Sequence, residues 1–136
     1  YGAEQNISEI IDFATLTGAC TIALGDICTA IIGNNKKMIS KFLKCSEFSG
    51  EMLWQLPCND KYLDYLKSDN ADISNIGAGR NAGTITAAKF LEQFVNKKPW
   101  VHFDIASTSK ANSTKGYLVK GMTGVGVRNI LEYLIK

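Results

Sequence analysis

The sequence predicts an α/β fold, a mixed, largely parallel sheet flanked by helices, on three observations. Apolar runs rich in strand-forming residues begin at Ile10 and Trp100, and the first is nearly continuous, as in a strand covered on both faces. Residues 35–48, 84–95 and 127–134 carry apolar side chains at helical spacing. The two kinds of stretch alternate along the chain, which is the order of a sheet built through helical crossovers.

Residues 1–8 are short and polar and read as the end of a helix and its connection. Residues 10–14, IIDFA, are the first strand, and TLTG at 15–18 follows with small and hydroxyl side chains that let a backbone approach a ligand. In open α/β sheets a ligand binds beyond the carboxyl ends of the strands, so Thr15, Leu16, Thr17 and Gly18 form the first candidate site. A buried strand running into an ordinary loop is the alternative for the same residues. Residues 21–32 are rich in β-branched side chains and predict a strand interrupted by a turn or bulge at Gly25, ended by Gly33 and Asn34. A helix over 35–48 turns Met38, Phe42, Leu43 and Cys45 to one face, with Lys36, Lys37, Lys41 and Lys44 largely on a solvated face.

Pro57 forces an extended approach to the next element, and Asn59 is an N-cap for a short helix to Lys67 that turns Tyr62, Leu63 and Leu66 inward. One short strand is predicted around Ile73. Gly77, Gly79 and Gly83, with Arg80 and Asn81 between them, then form a flexible loop of the kind from which binding sites are built. Ile85, Ala88, Leu91 and Val95 make the stripe of the next helix, and Pro99 closes its connection. Residues 100–106 alternate in part and predict a strand that again ends in small residues, Ala106 and Ser107. A polar loop over 110–115 and a glycine-punctuated stretch over 118–125 lead to a final amphipathic helix with Val127, Ile130, Leu131 and Leu134.

A length of 136 residues suits one domain with its own core, and 46% hydrophobic with 21% charged residues is an ordinary soluble balance. A net charge of +2 and the lack of a basic run argue against nucleic acid or anionic membrane as partner. No stretch has the length of a membrane span, and the start lacks the pattern of a signal peptide. Cys20, Cys28, Cys45 and Cys58 are too widely spaced for a zinc or redox pair and read as buried thiols in a reducing compartment.

Candidate chemistry is sparse. The glycines of GMTGVG at 121–126 precede a helix, where N–H groups bind anions, but their spacing is not the dinucleotide fingerprint. A tightly packed helix-entry turn and a non-enzymatic module holding a phosphate-bearing ligand are the two readings. His102, the one histidine, stands two residues from Asp104 on the same side of a strand; Ser107 or Cys20 are the nominal nucleophiles for such a pair. A buried, hydrogen-bonded histidine is the simpler reading. Asp12, in an apolar strand, requires a partner wherever it is buried. Asp69 and Asp72 lie in a polar loop and are weak metal candidates.

Seven segments in register resemble one family. IIDFATLTGAC (10–20), IALG (22–25), GEMLWQLP (50–57), ADISNIG (71–77), AGTITAAKFLEQFV (82–95), WVHFDIAS (100–107) and GMTGVGVRNILEYL (121–134) are similar to the C-terminal part of the leucyl, or cytosol, aminopeptidases. The resemblance runs from about residue 1 to 136 and implies the C-terminal portion of an aminopeptidase catalytic domain. It implies a cytoplasmic, two-metal exopeptidase that releases N-terminal, leucine-like residues from peptides, usually as a homo-hexamer, with zinc, manganese or magnesium as the two divalent ions. The family's metal ligands, catalytic lysine and arginine lie in a lysine-bearing segment and an Asn-Thr-Asp-Ala-Glu-Gly-Arg motif, neither of which occurs in this chain. The chain opens on Tyr1, not Met, and the resemblance puts those segments upstream of it. No catalytic residue and no metal ligand is therefore expected here, and the chain alone is expected to be inactive. By position, the backbone of Thr15, Leu16 and Gly18 matches groups that hydrogen-bond the substrate main chain, and Ile76 and Ala106 match the lining of the first side-chain pocket. Ser107 replaces a more usual glycine, which implies either a narrower site edge or a hydrogen bond to a neighbouring loop.

Overall fold

The computed structural model describes residues 1–135. A 3₁₀ turn at Gly2–Glu4 leads to strand β1 (Ile10–Ala14), helix α1 (Gly18–Leu24), β2 (Thr29–Gly33), α2 (Lys36–Ser49) and β3 (Leu53–Gln55). A second 3₁₀ stretch, Asp60–Leu66, is followed by α3 (Gly83–Glu92), β4 (Trp100–Asp104), the short strands β5 (Lys110–Ala111) and β6 (Gly121–Met122), and α4 (Val127–Ile135).

Four strands form one sheet in the order β1-β4-β2-β3. β1 and β4 run parallel, as do β2 and β3, while β4 and β2 meet antiparallel, so the sheet is mixed as expected. Alternation along β4 sends Val101 and Phe103 to one face and Trp100, His102 and Asp104 to the other. On the first face α2 and α4 bring Met38, Ile39, Phe42, Cys45 and Tyr133 against Ile31, Val101 and Phe103. Phe42 stacks on Tyr133 at 4.1 Å between ring centroids and meets Phe103 edge-on at 4.8 Å. On the second face Ala88 and Leu91 of α3, with Val95 just beyond it, pack with Ile32 and Trp100.

Several expectations are corrected. Residues 21–32 are not one interrupted strand: 18–24 form α1, and only 29–33 extend as β2. The β-branched side chains of Thr21 and Ile22 are outweighed by caps at both ends. Thr17 accepts the Cys20 N–H at 3.1 Å, and Gly25, at φ 67°, closes the helix in a conformation an L side chain resists. Residues around Ile73 form turns, not a strand, and Ser74 N–H is taken instead by the Leu66 carbonyl at 2.8 Å. The strand β3 and the β5–β6 ribbon leave no signal in the sequence, because three and two residues are too short to show a period. In α4 the inward residues are Asn129, Tyr133 and partly Ile130, whereas Val127, Leu131 and Leu134 of the predicted stripe are exposed.

Asn59 caps as expected, accepting from Lys61 N–H, although the short helix it starts is a 3₁₀ stretch. The cap of α2 is Asn35, which accepts from Lys37 and Met38 N–H and carries no expectation from the sequence. Three cysteines are buried, Cys58 is half-buried, and all four are free thiols.

α3 is pinned to the Asp60–Leu66 stretch by Lys89, whose buried ammonium reaches Asp60 at 2.8 Å and Glu92 more closely still. Burial pulls the Lys89 pKa down, but its two carboxylate partners outweigh burial and leave it raised. Cys58, beside Glu92, is pushed up to about 11, first by burial and then by that negative charge.

Candidate functional site

β1 and β4 end side by side, Ala14 opposite Asp104, and the chain leaves both at the same edge of the sheet. Asp104 is fully buried at this point and gathers the two exits. Its Oδ1 accepts from Leu16 N–H at 3.2 Å, Thr17 N–H at 3.4 Å and Ala106 N–H at 3.2 Å. Its Oδ2 accepts from the Thr17 hydroxyl at 2.6 Å. Every one of these partners donates, which is the arrangement that holds a buried carboxylate in place.

Thr17 carries the link onward. Its Oγ1 also takes the Cys20 N–H and lies 3.0 Å from Thr84 Oγ1 in the first turn of α3. Gly83, just before, packs so closely on α1 that an added Cβ would come within 2.9 Å of the Ala19 methyl. One turn is thus tied to β1, α1, β4 and α3 together.

Of the five residues expected to form the substrate wall, Leu16 and Ala106 are brought together through the shared Oδ1 of Asp104. Thr15 and Gly18 flank Leu16 and are exposed. Ile76 is 77% exposed and is not brought to that carboxylate; its neighbour Gly77 lies against Thr86 of α3, two residues beyond Thr84. The Ile76 carbonyl accepts from Ser74 Oγ at 2.7 Å, which fixes the loop locally.

The nominal His102–Asp104 pair does not form. His102 is fully buried with Nδ1 2.5 Å from Asp12 Oδ1, and Asp12 Oδ2 accepts from Trp100 Nε1 at 2.6 Å. Asp12 thereby has the partners its strand position demands, supplied by the strand beside it. Ser107 Oγ donates to the Cys28 carbonyl at 3.2 Å, so its hydroxyl fastens a neighbouring loop. Cys20 donates to the Asp104 carbonyl at 3.6 Å, and burial raises its pKa, the opposite of an activated nucleophile.

The glycine loop ahead of α4 is also occupied. Glu51 is buried, with Oε1 accepting from Gly126 N–H at 3.1 Å and Oε2 from Asn129 N–H at 2.8 Å. A carboxylate already fills the helix N-terminus where a phosphate would bind, and a second anion there would be repelled.

The residues present do not fit a two-metal centre. Asp12, Glu51 and Asp104 have their oxygens engaged by donors of the chain itself, and among the described residues no three His, Cys, Asp or Glu side chains stand together as ligands.

Residues 1–131 match the model of the cytosol aminopeptidase family, catalytic domain. The chain belongs to the cytosol aminopeptidase family. A probable cytosol aminopeptidase of a Sulfurihydrogenibium species is 50% identical over 137 aligned positions, covering 100% of this chain and 27% of the relative. One of Alkaliphilus oremlandii is 47% identical, again over 100% of this chain and 27% of its own length. A solved structure of a tomato leucine aminopeptidase mutant superposes with a TM-score of 0.91 at 36% identity, covering 99% of this chain and 26% of that one. The chain therefore spans about a quarter of the length of the aminopeptidase relatives it matches.

The residues that organise this end of the aminopeptidase fold, Asp104, Thr17 and Thr84, carry a weak signal in the sequence. Alternation puts residues 100, 102 and 104 on one face of β4, and threonines border the first strand. Which backbone amides a carboxylate at 104 meets depends on β1 lying beside β4, 88 positions away in sequence from Asp104 to Leu16.

Proposed function

We propose that this chain is the C-terminal part of the catalytic domain of a metal-dependent aminopeptidase, and that it forms the substrate-binding rim. In this reading the backbone of Thr15, Leu16 and Gly18 hydrogen-bonds the main chain of a peptide, and Ile76 and Ala106 line the pocket for its first side chain. The enzyme releases N-terminal, leucine-like residues, with two divalent ions, zinc, manganese or magnesium, held by residues outside this chain. An apolar pocket discriminates by about 1 to 3 kcal/mol per methylene, so the preference is graded. The complete enzyme is proposed to be a cytoplasmic homo-hexamer acting on peptides. Among the described residues no helix is long and apolar enough to cross a membrane.

The observation that carries this reading, given the family, is the convergence of Leu16 and Ala106 on one buried carboxylate beyond the ends of two parallel strands. The surface supports a larger whole. β1 is an outer strand of the sheet with Ile10, Ile11 and Phe13 half-buried, and Val127, Leu131 and Leu134 face solvent along α4. Apolar surfaces of this kind are ordinarily covered by further chain.

The test compares two polypeptides in the presence of manganese. A longer polypeptide containing these residues is expected to hydrolyse leucine p-nitroanilide, and the 136 residues alone are expected not to. Turnover by the 136 residues alone overturns the placement of the ions; inactivity of both overturns the activity.

A further inference from the structure

We infer that Asp104 is the positioning residue of the substrate rim: it sets the direction in which the backbone acceptors of Thr15 and Leu16 face, and it holds Ala106 at a constant distance across from them. The inference rests on the substrate-rim reading above and goes beyond it by naming the group that shapes the rim.

The physical basis is peptide geometry. In a trans peptide the C=O and N–H point in opposite directions. Leu16 N–H and Thr17 N–H both point at Asp104 Oδ1, so the carbonyls in those same two peptide units, of Thr15 and Leu16, are turned away from the buried carboxylate. Two consecutive carbonyls aimed alike make a hydrogen-bond acceptor pair, complementary to a ligand that brings N–H donors, as a free amine and a following peptide N–H do. The Ile105 carbonyl is turned by the same rule but is consumed within its own turn, accepting from Ser109 N–H at 2.9 Å. That leaves the acceptor pair of Thr15 and Leu16 joined to Ala106 through the shared Oδ1.

The carboxylate is itself well anchored, because the Thr17 hydroxyl holds Oδ2 at 2.6 Å and is braced by Thr84 at 3.0 Å. A side chain at 104 with no acceptor would strand the amides of Leu16, Thr17 and Ala106, and the peptide planes would rotate toward water. Asp104 does not touch the substrate in this account; its effect is transmitted through Leu16, Thr17 and Ala106.

The experiment is done in the longer polypeptide that contains this segment, loaded with manganese and assayed on leucyl peptides. Asp104→Ala is expected to raise KM about tenfold or more with kcat changed by less than about threefold, since charged hydrogen bonds that shape binding are lost. Asp104→Asn, whose amide oxygen still accepts from Leu16 and Ala106, is expected to recover most of that loss. An Asp104→Ala enzyme with wild-type KM overturns the inference. Where Asp104→Ala fails to fold, Thr17→Val carries the test: KM is expected to rise about threefold, and an unchanged KM overturns it. If the unsubstituted polypeptide has no aminopeptidase activity, the function reading has failed instead, and amide exchange in Thr17→Val still decides the positioning role. Residues 15–18 and 105–107 are then expected to exchange faster while 36–49 stay at the wild-type rate. Uniform acceleration, or none, overturns the inference.

Discussion

The two faces of the sheet are built from the same strands and do different work. Toward α2 and α4 the strands present Ile31, Val101 and Phe103, and the helices answer with Phe42, Ile39 and Tyr133. Toward α1 and α3 the same strand β4 presents Trp100, His102 and Asp104, and β1 adds Asp12. The first face stabilises mainly by burying apolar area and stacking rings, which is non-directional. The second combines a smaller apolar cluster around Ile32, Trp100 and Ala88 with the hydrogen bonds of Asp12, His102 and Asp104, whose donors and acceptors must match atom by atom. Asp104, at the end where β1 and β4 stop, carries these bonds to the place where the candidate site lies.

The comparison is broken most strongly on the apolar side. Phe103→Ala is expected to cost about 3 to 5 kcal/mol, because the ring is fully buried between Phe13, at 4.4 Å, and Phe42, at 4.8 Å. The shift of the urea midpoint measures it, and a loss below about 1 kcal/mol would mean that this face is loosely packed. A smaller effect is expected on the polar side. Asp12→Ala removes the acceptor of His102 and Trp100 and is expected to cost about 2 kcal/mol by the same measurement. A cost equal to that of Phe103→Ala would erase the distinction between the faces.

A pH dependence tests the apolar side without altering its packing. Tyr133 lies against Phe42 with its hydroxyl donating to Glu9 at 2.9 Å, and burial first, then Glu9, pushes its pKa up to about 12. Its ordinary value is near 10, so between pH 10 and 12 the unfolded chain binds fewer protons than the folded one. Stability from this group is complete below pH 10 and is lost as pH rises through about 12. Urea midpoints measured across this range are expected to fall more steeply for the natural protein than for Tyr133→Phe.

Much of this is legible in the sequence. The runs at Ile10 and Trp100 become β1 and β4, and the helical stripes at 35–48 and 84–95 become α2 and α3, because each is long enough to show its period. The stretch 21–32 misleads since β-branched side chains favour strands on average, while Thr17 and Gly25 act as caps only at their particular positions. Of the candidate site, the small-residue stretches at Thr15–Gly18 and Ala106 are legible as the exits of two strands, which β1 and β4 make side by side. Asp104 is legible only as a polar residue on the His102 side of a strand. Its true partners sit beyond another strand, and Asp12, the partner His102 does take, sits on that strand too.

Composition, periodicity and seven short segments in register were enough to assign the fold class and the family, since these depend on residue types in order along the chain. Which carboxylate serves His102, which one fills the α4 N-terminus, and which one draws Leu16 and Ala106 together were decided only on folding. The physical reason is that a hydrogen bond needs its two atoms within about 3 Å; for His102 and Asp104 that proximity is set by parallel pairing of β1 with β4, some ninety positions apart, and for Glu51 by the packing of α4 beside the start of β3.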